Sequence, residues 1–161
     1  MIGNDIVDLK LADTESNWQR KGYLDKIFTN LEQQFILKSD NQNELIWMFW
    51  SRKEAVYKIL IQQGIKKGFY PKKIECLDTN SKNGRVLFNN NTYYTKTSIS
   101  IDYIYSIAVL QQSNLIKIKQ IAWNENCVKI NNIPYLKIND KLQNISKSQH
   151  GRFEKVVCLN F

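Results

Sequence analysis

The spacing of apolar residues changes character about two-fifths of the way along the chain. Residues 2–9, IGNDIVDL, are short, β-branched and apolar around Asp5 and Asp8, and predict an opening strand. A polar stretch, 10–21, follows. Tyr23-Leu24-Asp25-Lys26-Ile27-Phe28 then runs into Thr29-x-x-Glu32, the spacing of a capping box. In that device the threonine hydroxyl accepts from a backbone N–H while the glutamate reaches back to the cap. A helix through about Lys38 is the consequence. After a polar break at 39–43, residues 44–63, ELIWMFWSRKEAVYKILIQQ, carry the strongest helical pattern, with Gly64 placed to cap the C-terminus. Apolar residues crowd both sides of the polar patch at 51–54, which marks a core helix whose few charges need a reason.

The second half reads as strands. Runs at 73–77, 84–88, 92–100 and 104–110 are separated by Asn- and Gly-rich turns, and 115–123, 127–130, 135–138 and 155–159 continue the pattern. Helices first and strands after argue for an α+β fold and against βαβ units. A faint internal echo is present: Ser98-Ile99-Ser100-Ile101-Asp102-Tyr103 leads into 106–110 much as Ser146-Lys147-Ser148-Gln149-His150-Gly151 leads into 156–159. Each reads as a turn running into an apolar strand.

Composition narrows the partners. The 161 residues suit one domain, and 43% apolar with 12% aromatic residues can supply a core. Twenty-three Lys and Arg against fifteen Asp and Glu give a charge of +8, which favours polyanions: nucleic acid, anionic membrane, nucleotide phosphates or an acidic protein. Three distant cysteines, Cys76, Cys127 and Cys158, lack C-x-x-C spacing and read as reduced, mostly buried thiols. The first ten residues already contain acidic side chains, and no run approaches the ~20 apolar residues of a membrane span. The expectation is a soluble, cytoplasmic protein.

Asp5 sits inside an apolar run, where a carboxylate is costly unless a cation or donors satisfy it. Glu54 and Lys58 are four apart on one helix face, with Arg52 and Lys53 just before them. Two readings stand here. In one, Ser51-x-x-Glu54 is a capping box, Glu54–Lys58 a surface ion pair, and Asp5 and Asp8 edge-strand charges. In the other, Asp5 and Glu54 meet as a half-shell for a hard cation such as Mg²⁺, which takes one or two carboxylates and leaves room for phosphates. Lys53 and Lys58 would then suit phosphate oxygens.

Three segments resemble the holo-acyl-carrier-protein synthases of the 4'-phosphopantetheinyl transferase superfamily. Gly3-Asn4-Asp5-Ile6-Val7-Asp8-Leu9 is similar to their G-x-D-I-[VT]-[ED]-[IL] opening. Arg20 to Glu32 resembles R-x-x-x-[FY]-L-x-[KR]-[IV]-[FL]-T-x-x-E, and Trp50-Ser51-Arg52-Lys53-Glu54-Ala55-Val56-Tyr57-Lys58 resembles [FW]-[SA]-x-K-E-[AS]-x-x-K. The resemblance implies Asp5 and Glu54 as metal ligands for Mg²⁺. It implies Glu54 also as helper in removing a serine proton, Lys58 on coenzyme A phosphate, and Lys53 near the same phosphates. The implied reaction is attack by a carrier-protein serine on the β-phosphorus of coenzyme A, with 3',5'-ADP leaving.

Towards the C-terminus, Asn132-Ile133-Pro134-Tyr135-Leu136 and 145–153 look like the family's G-K-P-[YF] and [VI]-S-[IL]-S-H pair. Gln149 stands where the family has histidine, and His150 comes one place later. On this match Ser148, His150 and Arg152 are expected at the nucleotide phosphates; the alternative match is 97–101. Val7 stands where larger, surfactin-type members carry a second acidic residue. The whole chain, 1–161, is expected to be a single transferase domain, with 115–161 as a partial second lobe, and either a monomer or a trimer. The expected partners are coenzyme A and an acidic acyl or peptidyl carrier protein, as in fatty acid biosynthesis, with Arg20, Lys21 and Lys26 as docking candidates.

The competing reading is a nucleic-acid module stacking bases on Tyr93, Tyr94, Tyr103 and Tyr105. No RNA-binding signature accompanies these tyrosines, which read as core and cross-strand residues. An inactive family member is a third reading, opposed by the retention of Asp5, Lys53, Glu54 and Lys58. Neither nucleic acid nor membrane is an expected partner.

Overall fold

A computed structural model describes residues 1–160. The opening strand, β1 (Ile2–Asp8), is followed by four helices: α1 (Leu9–Glu15), α2 (Tyr23–Ile27), α3 (Asn30–Lys38) and α4 (Gln42–Gln62). Helix α1 falls in the stretch read as merely polar. Asp8 caps it by accepting from Lys10 N, and its one buried residue, Ala12, gives too little periodicity to announce a helix. The capping box of α3 is as expected: Thr29 Oγ1 accepts from Glu32 N (3.3 Å) and Glu32 Oε2 from Thr29 N (2.8 Å).

The strands β2 (Glu75–Cys76), β3 (Asn83–Phe88), β4 (Asn91–Ile99) and β5 (Tyr103–Val109) form a meander whose last strand pairs with β1, in the order β1-β5-β4-β3-β2. A second sheet repeats this plan. It comprises β6 (Ile118–Ile121), β7 (Cys127–Ile130), β8 (Ile133–Ile138), β9 (Lys141–His150) and β10 (Phe153–Leu159), in the order β6-β10-β9-β8-β7. In both sheets a first strand pairs antiparallel with the last strand of a four-strand meander. In the first sheet the helices join that strand to the meander; in the second only 122–126 do. The sequence echo at 98–110 and 146–159 therefore marks equivalent hairpins, β4–β5 and β9–β10.

Three hairpin turns, Asn89-Asn90, Asn131-Asn132 and Asn139-Asp140, place both central residues at positive φ, as type I′ turns require. Asparagine and aspartate tolerate that region better than other non-glycine residues.

β1 is buried on both faces. Gly3 and Val7 face α4, while Ile2 and Ile6 join Tyr105, Ile107, Val109, Val157 and Leu159 between the sheets. Gly3 is obligatory at the α4 crossing, since a Cβ there would stand 1.8 Å from the Ala55 carbonyl oxygen. On the far side of the second sheet, Cys127, Ile145, Val156 and Cys158 gather under Trp123, where the first sheet has its helices. The three cysteines are free and buried. Tyr93 and Tyr105 are buried too, with hydroxyls bonded to Gln63 and Asn4, so they offer no stacking platform. No helix among the described residues is long and apolar enough to cross a membrane.

Candidate active site

Where the sequence suggests a turn at 146–151, residues 141–150 form strand β9, and this strand builds the site. β1 is the edge of its sheet, so alternate backbone N–H groups have no strand partner. Side chains of β9 supply one. Asn4 N donates to Ser146 Oγ (2.9 Å), Ile6 N to Ser148 Oγ (3.1 Å), and Asp8 N to His150 Nδ1 (2.9 Å). The period of two along β9 matches the period of two along β1.

Asp5 projects from the α4-facing side of β1, within reach of both α4 and β9. Its Oδ1 accepts from Ser148 Oγ at 3.1 Å and faces Lys58 Nζ at 3.5 Å. Lys58 also donates to Asn4 O (2.6 Å) and Lys147 O (3.2 Å), so its ammonium joins β1, β9 and α4. Glu54, one turn before Lys58, has no hydrogen bond or ion pair among the described residues. Burial, and then the neighbouring Asp5 carboxylate, push Glu54 up to about 7 against the pull of Lys58. Asp5 is likewise raised by burial, opposed by Lys58 and Ser148. Two crowded carboxylates, one without a partner, suit a hard divalent cation.

These groups sit at the meeting of two clefts. One, of about 290 Å³, is lined by Asp5, Glu54, Glu15, His150 and the aromatic walls Trp50 and Tyr23. The other, of about 300 Å³, is basic and lined by Lys58, Lys129, Lys147 and Pro134. Gln149 borders both.

Thus Asp5, Glu54, Lys58, Ser148 and His150 come together. Lys53 does not, which corrects its placement near phosphates. It is 1% exposed, pairs with Glu32 at 2.7 Å, and donates to Ile74 O (2.6 Å), Pro71 O (2.8 Å) and Ile27 O (3.3 Å). The reason is angular: neighbours on a helix point about 100° apart, so the face that sends Glu54 and Lys58 to the cleft sends Lys53 inward.

Arg152 is also engaged away from both clefts. Its Nη2 pairs with Asp8 Oδ1 at 2.9 Å, its Nε with Asp8 Oδ2 at 2.9 Å, and its Nη1 with Asp102 Oδ1 at 3.1 Å. This fork holds the Asp8 carboxyl well below the usual carboxylate range and ties the two sheets together. His150 Nε2 lies 3.4 Å from Glu15 Oε2. The alternative segment 97–101 is elsewhere, with Thr97 Oγ1 accepting from buried Arg52 Nε at 3.0 Å.

Sequence reasoning missed Asp8 as an inter-sheet anchor and Asn4 as a junction. Asn4 is fully buried, with Nδ2 donating to Tyr105 Oη (3.1 Å) and Lys155 O (3.1 Å). A polar residue inside an apolar strand was the available signal for both.

An acidic pair and a lysine beside a basic cleft can together bind a divalent cation and phosphate oxygens. The model of the 4'-phosphopantetheinyl transferase superfamily matches residues 1–115, and the chain belongs to that superfamily, an enzyme of phosphopantetheinyl transfer in the general sense. Solved structures share the fold. The holo-[acyl-carrier-protein] synthase of Helicobacter pylori, in complex with coenzyme A, is 16% identical with a TM-score of 0.55, covering 69% of this chain and 100% of its own. Those of Neisseria meningitidis (14%, TM-score 0.53, 69% of this chain and 97% of its own) and Thermotoga maritima (15%, TM-score 0.53, 78% of each) are similar. No curated protein sequence matches the chain. The family match ends before β6, so Ser148, Gln149 and His150 come from outside the matched span.

Proposed function

We propose that this protein transfers the 4'-phosphopantetheine group of coenzyme A to a serine hydroxyl of an apo carrier protein, with Mg²⁺, releasing 3',5'-ADP. The observation that carries the reading is the meeting of Asp5, Glu54 and Lys58 where an acidic cleft joins a basic one.

Asp5 and Glu54 would hold Mg²⁺, with water and substrate oxygens completing its shell. The ion would supply neutralisation of the diphosphate charge. The chain's own residues do the rest. Lys58, Lys129 and Lys147 give the nucleotide phosphates a positive bed. The serine oxygen forms a bond to the β-phosphorus as the bond to the bridging oxygen breaks. Glu54 accepts the serine proton as the general base of the transfer. The electron pair leaves on 3',5'-ADP, whose new charge Lys58 stabilises. Catalysis of this kind is positioning and electrostatics.

Because His150 Nδ1 accepts from Asp8 N–H, Nε2 is the ring nitrogen that carries a proton at the cleft, where it faces Glu15 Oε2 at 3.4 Å, and a phosphate oxygen entering there would have to replace that carboxylate as its acceptor. Ser148 and Arg152 serve this site from behind, through Asp5 and Asp8. The net charge of +8 suits an acidic acyl or peptidyl carrier in the cytoplasm.

The test is transfer of a fluorescent coenzyme A conjugate onto an apo carrier, followed in a gel. Wild type labels the carrier, while Asp5→Asn, Glu54→Gln and Lys58→Met do not. Undiminished labelling by Glu54→Gln would refute the assigned roles.

A further inference from the structure

Three side chains of β9 satisfy the edge of β1, and they are not equivalent. Ser146 and Ser148 each accept a backbone N–H, from Asn4 and Ile6. A hydroxyl that accepts still has its own proton to give. That of Ser148 goes to Asp5 Oδ1 at 3.1 Å, whereas Ser146 touches no carboxylate. Ser148 is only 5% exposed, so water competes little for this bond. Lys58 Nζ approaches the same oxygen at 3.5 Å. Both donors converge on Oδ1, and Asp5 Oδ2 has no hydrogen-bond partner among the described residues.

We propose that Ser148 is a positioning residue: its hydroxyl, held in place by Ile6 N–H, locks the rotation of the Asp5 carboxylate and leaves Oδ2 for a divalent cation shared with Glu54. The second sheet is then part of the catalytic apparatus, delivered by the same chain, and not an appended lobe. Ser148 acts on the reaction through Asp5, not by contact with a nucleotide phosphate. This inference rests on the metal reading of the proposed function.

Outer partners that orient a metal-binding carboxylate typically contribute 10–100-fold to metal affinity. The experiment is Mn²⁺ titration of the metal-free protein by isothermal calorimetry, without substrate. Wild type, Ser148→Ala, Ser146→Ala and Glu54→Gln are compared, each with a thermal melt. Ser146→Ala loses the same kind of bond to β1 without touching Asp5, so it reports the purely structural effect. The expected result is Mn²⁺ binding weakened about tenfold or more by Ser148→Ala, unchanged by Ser146→Ala and lost in Glu54→Gln. Equal affinity of Ser148→Ala and wild type, or equal weakening by both serine variants, would overturn the positioning role while leaving the metal site standing. No Mn²⁺ binding by wild type would overturn the metal reading itself, and this inference with it.

Discussion

Replacing Lys53 with methionine separates the structural role found here from the phosphate role that its place in the motif suggests. The ammonium has three protons and four acceptors around it: Glu32 Oε2, Ile74 O, Pro71 O and Ile27 O, between 2.6 and 3.3 Å. Methionine fills similar volume but leaves the fully buried Glu32 with only two donors, Thr29 N (2.8 Å) and Cys76 N (2.7 Å). Breaking a buried pair from one side costs about 3–5 kcal/mol. The two remaining donors place this case near about 3 kcal/mol, which for a chain of this size lowers Tm by roughly 6–12 °C. Burial already raises the Glu32 carboxyl, and Lys53 is the largest opposing influence. Without it, Glu32 rises further above its unfolded value. The folded state then holds a proton that the unfolded state releases, so the variant loses stability as pH rises through the raised value. The assay is thermal unfolding by circular dichroism at pH 5 and pH 8, with transfer kinetics measured well below the transition. The expected outcome is a lower Tm, more so at pH 8, with KM for coenzyme A unchanged. Partial recovery in Lys53→Met/Glu32→Gln would show that the charge left behind is the cause. A Tm within about 1 °C of wild type, with KM for coenzyme A raised tenfold or more, would refute the reasoning.

Gly3→Ala places a Cβ 1.8 Å from Ala55 O, a backbone atom that cannot swing aside, so a loss above about 4 kcal/mol and little soluble protein are expected; normal expression and melting would contradict the β1–α4 contact. Because Arg152 holds the Asp8 carboxyl below its unfolded value, the bond's contribution is fully present above about pH 4 and is lost as pH falls through the depressed value. Urea unfolding between pH 3 and pH 6 should show a shallower acid-side decline in Arg152→Leu than in wild type. A chain ending at residue 115 bares Ile2, Ile6, Tyr105, Ile107 and Val109 and orphans the N–H groups that Ser146, Ser148 and His150 satisfy. Light scattering should find it aggregated or self-associated, and a stable monomer would contradict the dependence of β1 on the second sheet.

What the sequence reveals here is local, and what it hides is long-range. The capping box of α3, the apolar run of α4 and most strands follow from periodicity and turn chemistry because each signal lies within a few residues. β9 escaped because its buried face carries Ser146 and Ser148, polar residues that pay their way by bonding β1 and so break the usual alternation. The Asp8–Arg152 tie spans 144 residues and has no local trace. Asp5 and Glu54 are separated by most of the helical layer, and only motif resemblance pairs them. The same resemblance mislaid Lys53, because adjacency in a motif ignores the turn of the helix.

The most direct test of the central claim is intact-mass spectrometry of an apo acyl carrier protein after incubation with this enzyme, coenzyme A and Mg²⁺. The account predicts a gain of one phosphopantetheine group on the carrier, abolished by Glu54→Gln and by a chelator. An unchanged mass across several acyl and peptidyl carriers, with the enzyme folded, would contradict it.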